Sequence, residues 1–368
     1  MKKVLVLALA LIMILGMSST AFAFDPVPKD QLKVGFIYVG DVVDLGYTYA
    51  HHQGTLAMQK ALGLRDDQVL IQKNISEDAN CETAIRELVD QGCQVIFGTS
   101  YGFMDYLAEA ADEFPNVIFV HCSGDKAEYL SKPNFGYYFG RIWESRYLSG
   151  IAAGLKAKEI GNNKLGYVGA FKSVPEVVYS LDAYFLGARS VNPDVTMTLK
   201  ETGSWYNPTA ERQAADALLA EGCGILSQHV DTTGPVVAAE EKGAFAVGYN
   251  ADMSNVAPHA YLTAPVWDWS VYVTDTVQKV IDGTWKPENS LMGLSEGLCG
   301  LAPLSANCAA GTQEAVDAAK AKILDGSLNV FSGPIKDNTG AEKVAAGQTL
   351  TNDEIRGITW FVDGITVG

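Results

Sequence analysis

The chain has 368 residues, 48% hydrophobic and 19% charged, with 27 Lys and Arg against 43 Asp and Glu for a formal charge of −16. Such a length suits two domains of ordinary size, and the composition is that of a packed chain rather than a disordered one. The carboxylate excess repels phosphate backbones and anionic lipid, which counts against nucleic-acid and membrane-surface partners and sends the search for function to discrete sites.

The first 23 residues read as an export signal. Lys2 and Lys3 form a basic start, residues 4–17 are apolar apart from Gly16, and Ala21, Phe22 and Ala23 give the small-x-small pattern of cleavage after Ala23. The apolar stretch falls short of the ~20 residues that span a bilayer, and no cysteine follows it to carry a lipid. A soluble exported chain starting at Phe24 is expected, and without Lys2 and Lys3 its formal charge is −18.

From Lys33 onward, strand-like apolar runs fall at 34–39, 69–75, 95–97, 117–120, 165–168, 195–199, 225–226, 245–247 and 261–264. Between them lie helical spacings such as Ile85/Leu88/Val89, Leu107/Ala108/Ala111, Leu148/Ile151/Leu155, Val178/Leu181/Phe185 and Val273/Val277/Val280. The alternation predicts a parallel α/β architecture. Cys81 and Cys93 flank one helical pattern and would stand roughly 18 Å apart, too far to pair. Cys122 and Cys223 adjoin apolar strands, where buried thiols are common. Cys299 and Cys308 lie in a Gly/Pro/Asn stretch where a bridge is sterically easy, and the sequence leaves their pairing open.

The alternation also repeats. Lys33-Val-Gly-Phe is echoed by Lys164-Leu-Gly-Tyr, Gln91-Gly-Cys93 by Glu221-Gly-Cys223, and Ile118-Phe-Val120 by Phe245-Ala-Val247, each about 130 residues later and in the same order. One βα lobe therefore occurs twice. Open α/β sheets bind ligands beyond the carboxyl ends of their strands, so the loops at 40–47, 98–102 and 121–125 should face those at 171–176, 202–207, 228–232 and 248–252 across a cleft.

Catalytic motifs are weak. Gly98-Thr-Ser-Tyr-Gly102 matches G-x-S-x-G between a strand and a helix, but no His-Gly-Gly oxyanion segment precedes it, so it reads as a ligand-contacting loop. No phosphate-cradling glycine motif, H-E-x-x-H or C-x-x-C spacing is present, which predicts neither cofactor nor metal. Aromatics carry the stronger signal: Tyr47, Tyr49, Tyr101, Trp205, Tyr206, Trp267 and Trp269 fall at or just after predicted strand ends. One aromatic face from each lobe can sandwich a planar ring, at ~1–3 kcal/mol per stacked base. Thr99, Ser100, Gln228, Asn250 and Asp252 would then choose among rings through their edges. Donor and acceptor placement is a matter of geometry, so the sequence does not rank the candidate rings.

The segments Lys33-Val-Gly-Phe-Ile37, Asp44-Leu-Gly-Tyr47, Phe97-Gly-Thr-Ser-Tyr101, Pro175-Glu-Val-Val178, Gly203-Ser-Trp-Tyr-Asn-Pro208 and Ser227-Gln-His-Val-Asp-Thr232 resemble the basic membrane protein family, over essentially the whole chain after the signal. This is the purine-receptor-like group of substrate-binding proteins of ABC importers. The resemblance implies an α/β type I periplasmic-binding-protein fold, two doubly wound open-sheet lobes closing on ligand, with no enzymatic activity. It implies a periplasmic monomer that carries a purine base or nucleoside to permease subunits. It makes Tyr47 and Trp205 the stacking residues and Asp252 a carboxylate near the ligand. It puts Thr99, Ser100, Tyr101, His121 and Gln228 in pocket loops, to which the loop reading above adds Asn250 and Trp267. Nucleoside-binding relatives have an Asp-Lys-Ser-Phe-Asn-like segment where this chain has Asp44-Leu-Gly-Tyr-Thr48, and a Lys near Trp267-Asp-Trp269; these departures favour a bare, adenine-like base. The lobes are expected at 33–140 plus 259–284 and at 141–258 plus 285–368. A purine nucleoside or sugar carrier, or a purine-processing hydrolase using Ser100, remain alternatives.

Overall fold

The computed structural model describes residues 24–124 and 126–368, so the export signal and its cleavage site lie outside the described residues. In chain order the first segment forms β1 (Val34–Ile37), α1 (Tyr47–Leu62), β2 (Val69–Gln72), α2 (Ala79–Asp90), β3 (Val95–Gly98), α3 (Met104–Glu113), β4 (Ile118–Cys122) and β5 (Phe135–Gly140). The second forms α4 (Ile142–Ile160), β6 (Lys164–Gly169), α5 (Pro175–Val191), β7 (Thr196–Glu201), α6 (Pro208–Ala220), β8 (Ile225–His229), α7 (Gly234–Lys242), β9 (Phe245–Val247) and β10 (Tyr261–Thr263). Then follow β11 (Pro265–Trp267), α8 (Ser270–Ile281), β12 (Asn289–Met292), β13 (Cys299–Leu301) and α9 (Thr312–Leu324). The chain ends with β14 (Ile335–Lys336), β15 (Glu342–Val344), α10 (Asn352–Arg356) and β16 (Ile365–Val367).

Two six-stranded parallel sheets result, ordered β12-β5-β4-β3-β1-β2 and β10-β9-β8-β6-β7-β16. Strands β1, β3, β4 and β8 are buried along their whole length, as strands covered by helices on both faces must be, and this explains the apolar runs of β1, β3 and the start of β4. The sequence echo maps strand for strand: β1 to β6, β3 to β8, β4 to β9. Each sheet then takes one late strand, β12 beside β5 and β16 beside β7, on opposite edges.

The echoed Gly-Cys pairs turn out to be helix stops. Gly92 and Gly222 sit at φ 87° and 88°, donating to Val89 O and Leu219 O, while Cys93 N and Cys223 N reach back to Leu88 O and Leu218 O. This is the Schellman arrangement, in which a left-handed residue ends the helix and returns the chain toward the next strand.

Three chain segments cross between the lobes, after β5, between β11 and α8, and between β12 and β13. Arg141 pins two of them: its Nη1 donates to Leu291 O at 2.7 Å, its Nε to Glu144 at 2.7 Å and its Nη2 to Glu296 at 2.8 Å. Glu144 in turn accepts from Leu294 N at 2.8 Å. The third crossing packs on the same place, since a Cβ on Gly140 would sit 2.3 Å from Trp267 and 2.6 Å from Cys299 Sγ.

Sheet pairing moves the expected lobe boundaries. Tyr261–Thr263 belongs to the second sheet and Asn289–Met292 to the first, the reverse of the sequence-based division. The half-buried edge strand Asn-Ser-Leu-Met has no apolar run to announce it. All six cysteines are free thiols. Cys299 and Cys308 face different carbonyls, Met292 O and Leu262 O, because β13 is held by β11 while Cys308 lies against β10.

Candidate functional site

A narrow cavity lies between the carboxyl ends of the two sheets, the position at which open α/β sheets bind small ligands. The first lobe lines it with Val39, Tyr47, Ser100, Tyr101 and Ser123, and the second with Glu176, Trp205, His229, Asp231 and Tyr249. These residues follow β1, β3 and β4 in one sheet and β6, β7, β8 and β9 in the other, flanking the points where strand order reverses.

Tyr47 opens α1. The helix's first donors are met by Asp44, whose Oδ1 accepts from Gly46 N at 2.8 Å and Tyr49 N at 3.0 Å, and this anchors the turn that carries Tyr47. The Tyr47 ring stands edge-on to His51 at 4.5 Å, His51 stacks on Trp269 at 4.3 Å, and Trp269 on Trp267 at 4.4 Å. That column fixes the ring from behind. Burial pushes the Tyr47 hydroxyl and the His51 imidazole toward their neutral forms.

Trp205 lies in the loop after β7, edge-on to Phe171 at 5.1 Å, and its carbonyl accepts from Asp231 N at 2.9 Å. His229 Nε2 lies 3.2 Å from Glu176 Oε1, while buried Nδ1 has no hydrogen-bond partner among the described residues. Burial lowers the His229 pKa, with Glu176 opposing, so the ring is neutral at neutral pH. Burial first, then Asp44, Glu211 and Glu176, push Asp231 well above the ordinary carboxylate range. The buried Arg146 guanidinium lies 3.7 Å over the ring of Tyr249 and donates to Gln228 O at 2.9 Å, backing the wall with positive charge. Among the described residues, three of the four non-glycine residues with left-handed backbone, Leu45, Ser123 and Asn250, lie in these cleft loops, where such strain collects.

Of the sequence candidates, Tyr47, Ser100, Tyr101 and Trp205 meet at the cavity. The others hold its loops. Thr99 Oγ1 donates to Ile37 O at 3.0 Å, His121 Nε2 lies 2.8 Å from Ser100 O, and the Gln228 amide donates to Val230 O at 3.1 Å and Thr232 O at 2.7 Å. Trp267 Nε1 donates to Asn250 Oδ1 at 3.0 Å, joining two candidates to each other. Asp252 is exposed and caps Ser254 N at 2.8 Å, away from the cavity. Glu176, His229, Asp231 and Tyr249 fell within the predicted strand-end loops, but nothing in the sequence distinguishes a loop side chain that turns inward from one that turns out. Ser100 Oγ donates to Glu77 at 2.7 Å, and His121 meets its carbonyl rather than its hydroxyl, so no nucleophile–base pair forms there. No group of His, Cys, Asp or Glu suited to a metal occurs among the described residues.

A second small cavity shares Tyr101, Ser123 and Glu176 with the first and ends at Arg356, whose guanidinium donates across the cleft to Gly124 O.

Residues 31–329 match the family described as ABC transporter substrate-binding protein, PnrA-like. The chain belongs to this family. As a member of the PnrA-like substrate-binding family it is a transport protein rather than an enzyme. A purine-binding protein of Brucella abortus is 36% identical over 337 residues, 92% of this chain and 93% of that one. A Haloferax volcanii protein that carries the name of an ABC transporter glucose-binding protein is 32% identical, covering 84% of this chain and 76% of its own. Among solved structures, a solute-binding protein from Aeropyrum pernix superposes with a TM-score of 0.70 at 20% identity, covering 83% of this chain and 93% of its own, which carries the type I periplasmic-binding fold. The substrate-binding family works outside the cytoplasmic membrane, and no helix among the described residues is long and apolar enough to cross one.

Proposed function

We propose that the protein is a periplasmic monomer that binds a purine nucleobase between its lobes and delivers it to the permease subunits of an ABC importer. The observation that carries this reading is the pairing of Tyr47 from the first lobe with Trp205 from the second on the walls of one small cavity. Two aromatic faces brought together by hinge closure hold a flat ring, exclude water from it and leave its edges to polar groups. The purine-binding name of the Brucella relative points the same way.

Nucleosides are the second reading, because a second cavity adjoins the first past Tyr101 and Glu176. Sugars follow from the Haloferax relative's name. A thermal-shift panel of purine bases, nucleosides and hexoses separates the three. Bases should raise the melting temperature most, hexoses should not, and Trp205→Ala should remove the response by withdrawing ~1–3 kcal/mol of stacking. No shift with any purine sinks the reading.

A further inference from the structure

Carboxylates from both lobes meet at one point of the cleft. Asp44, in the turn before α1, belongs to the first lobe; Glu176 at the start of α5, Glu211 on α6 and Asp231 after β8 belong to the second. The backbones bring them together. Gly46 lies so close to the second lobe that a Cβ built on it would sit 2.0 Å from Asp231 O, and Gly46 N donates to Asp44 Oδ1 at 2.8 Å. Burial and then, across the cleft, the Asp44 charge raise the proton affinity of Asp231, and Asp44 adds to the effect of burial at Glu211.

The four differ in how well a negative charge is supported. Asp44 accepts from Gly46 N and Tyr49 N, and Glu211 from Asn207 N, Thr232 N and Thr232 Oγ1, all within their own lobes, so parting the lobes removes none of these bonds. Glu176 has His229 Nε2 at 3.2 Å. Asp231 has Asn250 Nδ2 at 3.5 Å, the outer limit of a hydrogen bond, and is 6% exposed. The other groups around it bring no counter-charge. His229 at the end of β8 is neutral, Tyr47 of α1 and Tyr249 after β9 are held as phenols, and Arg146 of α4 lies behind the Tyr249 ring with its Nη1 on Gln228 O. No Lys or Arg is among the residues lining the cavity. The first lobe thus supplies both the cover that keeps water from Asp231 and one of the like charges that oppose its ionisation. Parting the lobes rehydrates Asp231 and withdraws Asp44.

We propose that Asp231 makes closure of the lobes proton-linked: its carboxylate takes up one proton from solvent as the lobes meet and returns it as they part. This rests on the hinge-binding reading above and adds a proton as a second ligand of the closed form. The sign follows from linkage. A group that holds its proton more tightly in the closed form favours closure as pH falls, so between the open and closed pKa values ligand affinity drops by up to about tenfold per unit rise in pH. Cargo is held more firmly in acid and let go more readily in mild alkali.

The test is titration calorimetry of the purified protein with adenine at pH 7 and pH 8.5, where His229 is neutral, each in two buffers of different ionisation enthalpy. The parent should take up a proton on binding, and its affinity should fall about tenfold between the two pH values. Asp231→Asn cannot ionise, so its uptake should vanish and its affinity become level. Asp44→Asn keeps an acceptor for Gly46 N and Tyr49 N but withdraws the opposing charge, and should bind fewer protons than the parent. A merely structural role for Asp231 would change affinity in its variant and leave the pH slope in place. Adenine binding to the parent without proton uptake overturns the proposal without any variant having to fold, and leaves the purine reading standing; so does an unchanged slope in Asp231→Asn. If adenine does not bind at either pH, the purine reading fails, and small-angle scattering from the ligand-free parent decides this one. A smaller radius of gyration at pH 7 than at pH 8.5 supports it, and equal radii overturn it.

Discussion

Individual side chains in the second lobe carry unequal electrostatic costs, and Asp182 carries a large one. It is fully buried on α5, its Oδ1 accepts from Val362 N at 2.9 Å, and its Oδ2 has no partner among the described residues. Burial raises its pKa well above the carboxylate range, with Val362 N–H and Arg189 opposing. A native pKa above the unfolded one means that the folded state binds the proton more tightly. Stability is therefore greatest below the ordinary carboxylate pKa and is lost as pH rises toward the raised native value. Asp182→Asn keeps the acceptor for Val362 and removes the ionisation, so we expect it to stabilise the protein by about 1–3 kcal/mol at pH 8, the scale of an unsatisfied buried polar group. The advantage should shrink toward pH 5. Urea denaturation at both values checks this, and a variant less stable than the parent at pH 8 contradicts it.

At the scale of elements, the two Gly-Cys stops test the internal repeat. A Cβ added at Gly92 or Gly222 meets nothing within 4 Å, so any cost of alanine there is conformational, about 1–2 kcal/mol for a left-handed residue. Each Gly→Ala variant should lose about that much stability in urea while keeping its ligand affinity, because both stops lie at the opposite end of the strands from the cleft. Larger loss at one site than the other would show that the two lobes do not use the motif equivalently. The same elements show what was legible in the sequence. Strands buried on both faces, such as β1 and β3, announce themselves as apolar runs, and the echo of β1, β3 and β4 in β6, β8 and β9 placed the cleft. The edge strands β12 and β16 carry no such run and owe their place to neighbours supplied from distant parts of the chain. The start of α1 was also hidden: Tyr47 and Tyr49 read as loop residues because Gly46 offers no side-chain cap and Asp44 caps the helix from outside it. Within the site, Tyr47 and Trp205 were legible as aromatics at strand ends, whereas Asp231 and Asp252, two carboxylates in two adjacent loops, could be told apart only by which way each loop turns.

On the scale of the whole molecule, one contact between the lobes is close enough to govern closure. Gly46, at the start of α1 in the first lobe, lies against the backbone of Asp231 in the second: a Cβ built on it would sit 2.0 Å from Asp231 O. Its φ of −114° lies outside the left-handed region, so the chief obstacle to alanine there is this contact. The clash exists only when the lobes are together. Gly54 offers the contrast, because its close neighbours Trp269 and Ser270 lie on α8 and its N-terminal turn, packed against α1 within the first lobe. In the proposed hinge motion, Gly46→Ala should therefore leave the ligand-free melting temperature near that of the parent but hold the cleft ajar. It would separate the Tyr47 and Trp205 faces and let water reach Glu176 and Asp231. We expect adenine affinity to fall by at least ~tenfold, equivalent to ~1.4 kcal/mol. Small-angle scattering should show the parent contracting when ligand is added and the variant failing to contract. Should the variant bind and contract like the parent, the Gly46–Asp231 contact is not what limits closure, and the crossings pinned by Arg141 would have to set the closed angle instead.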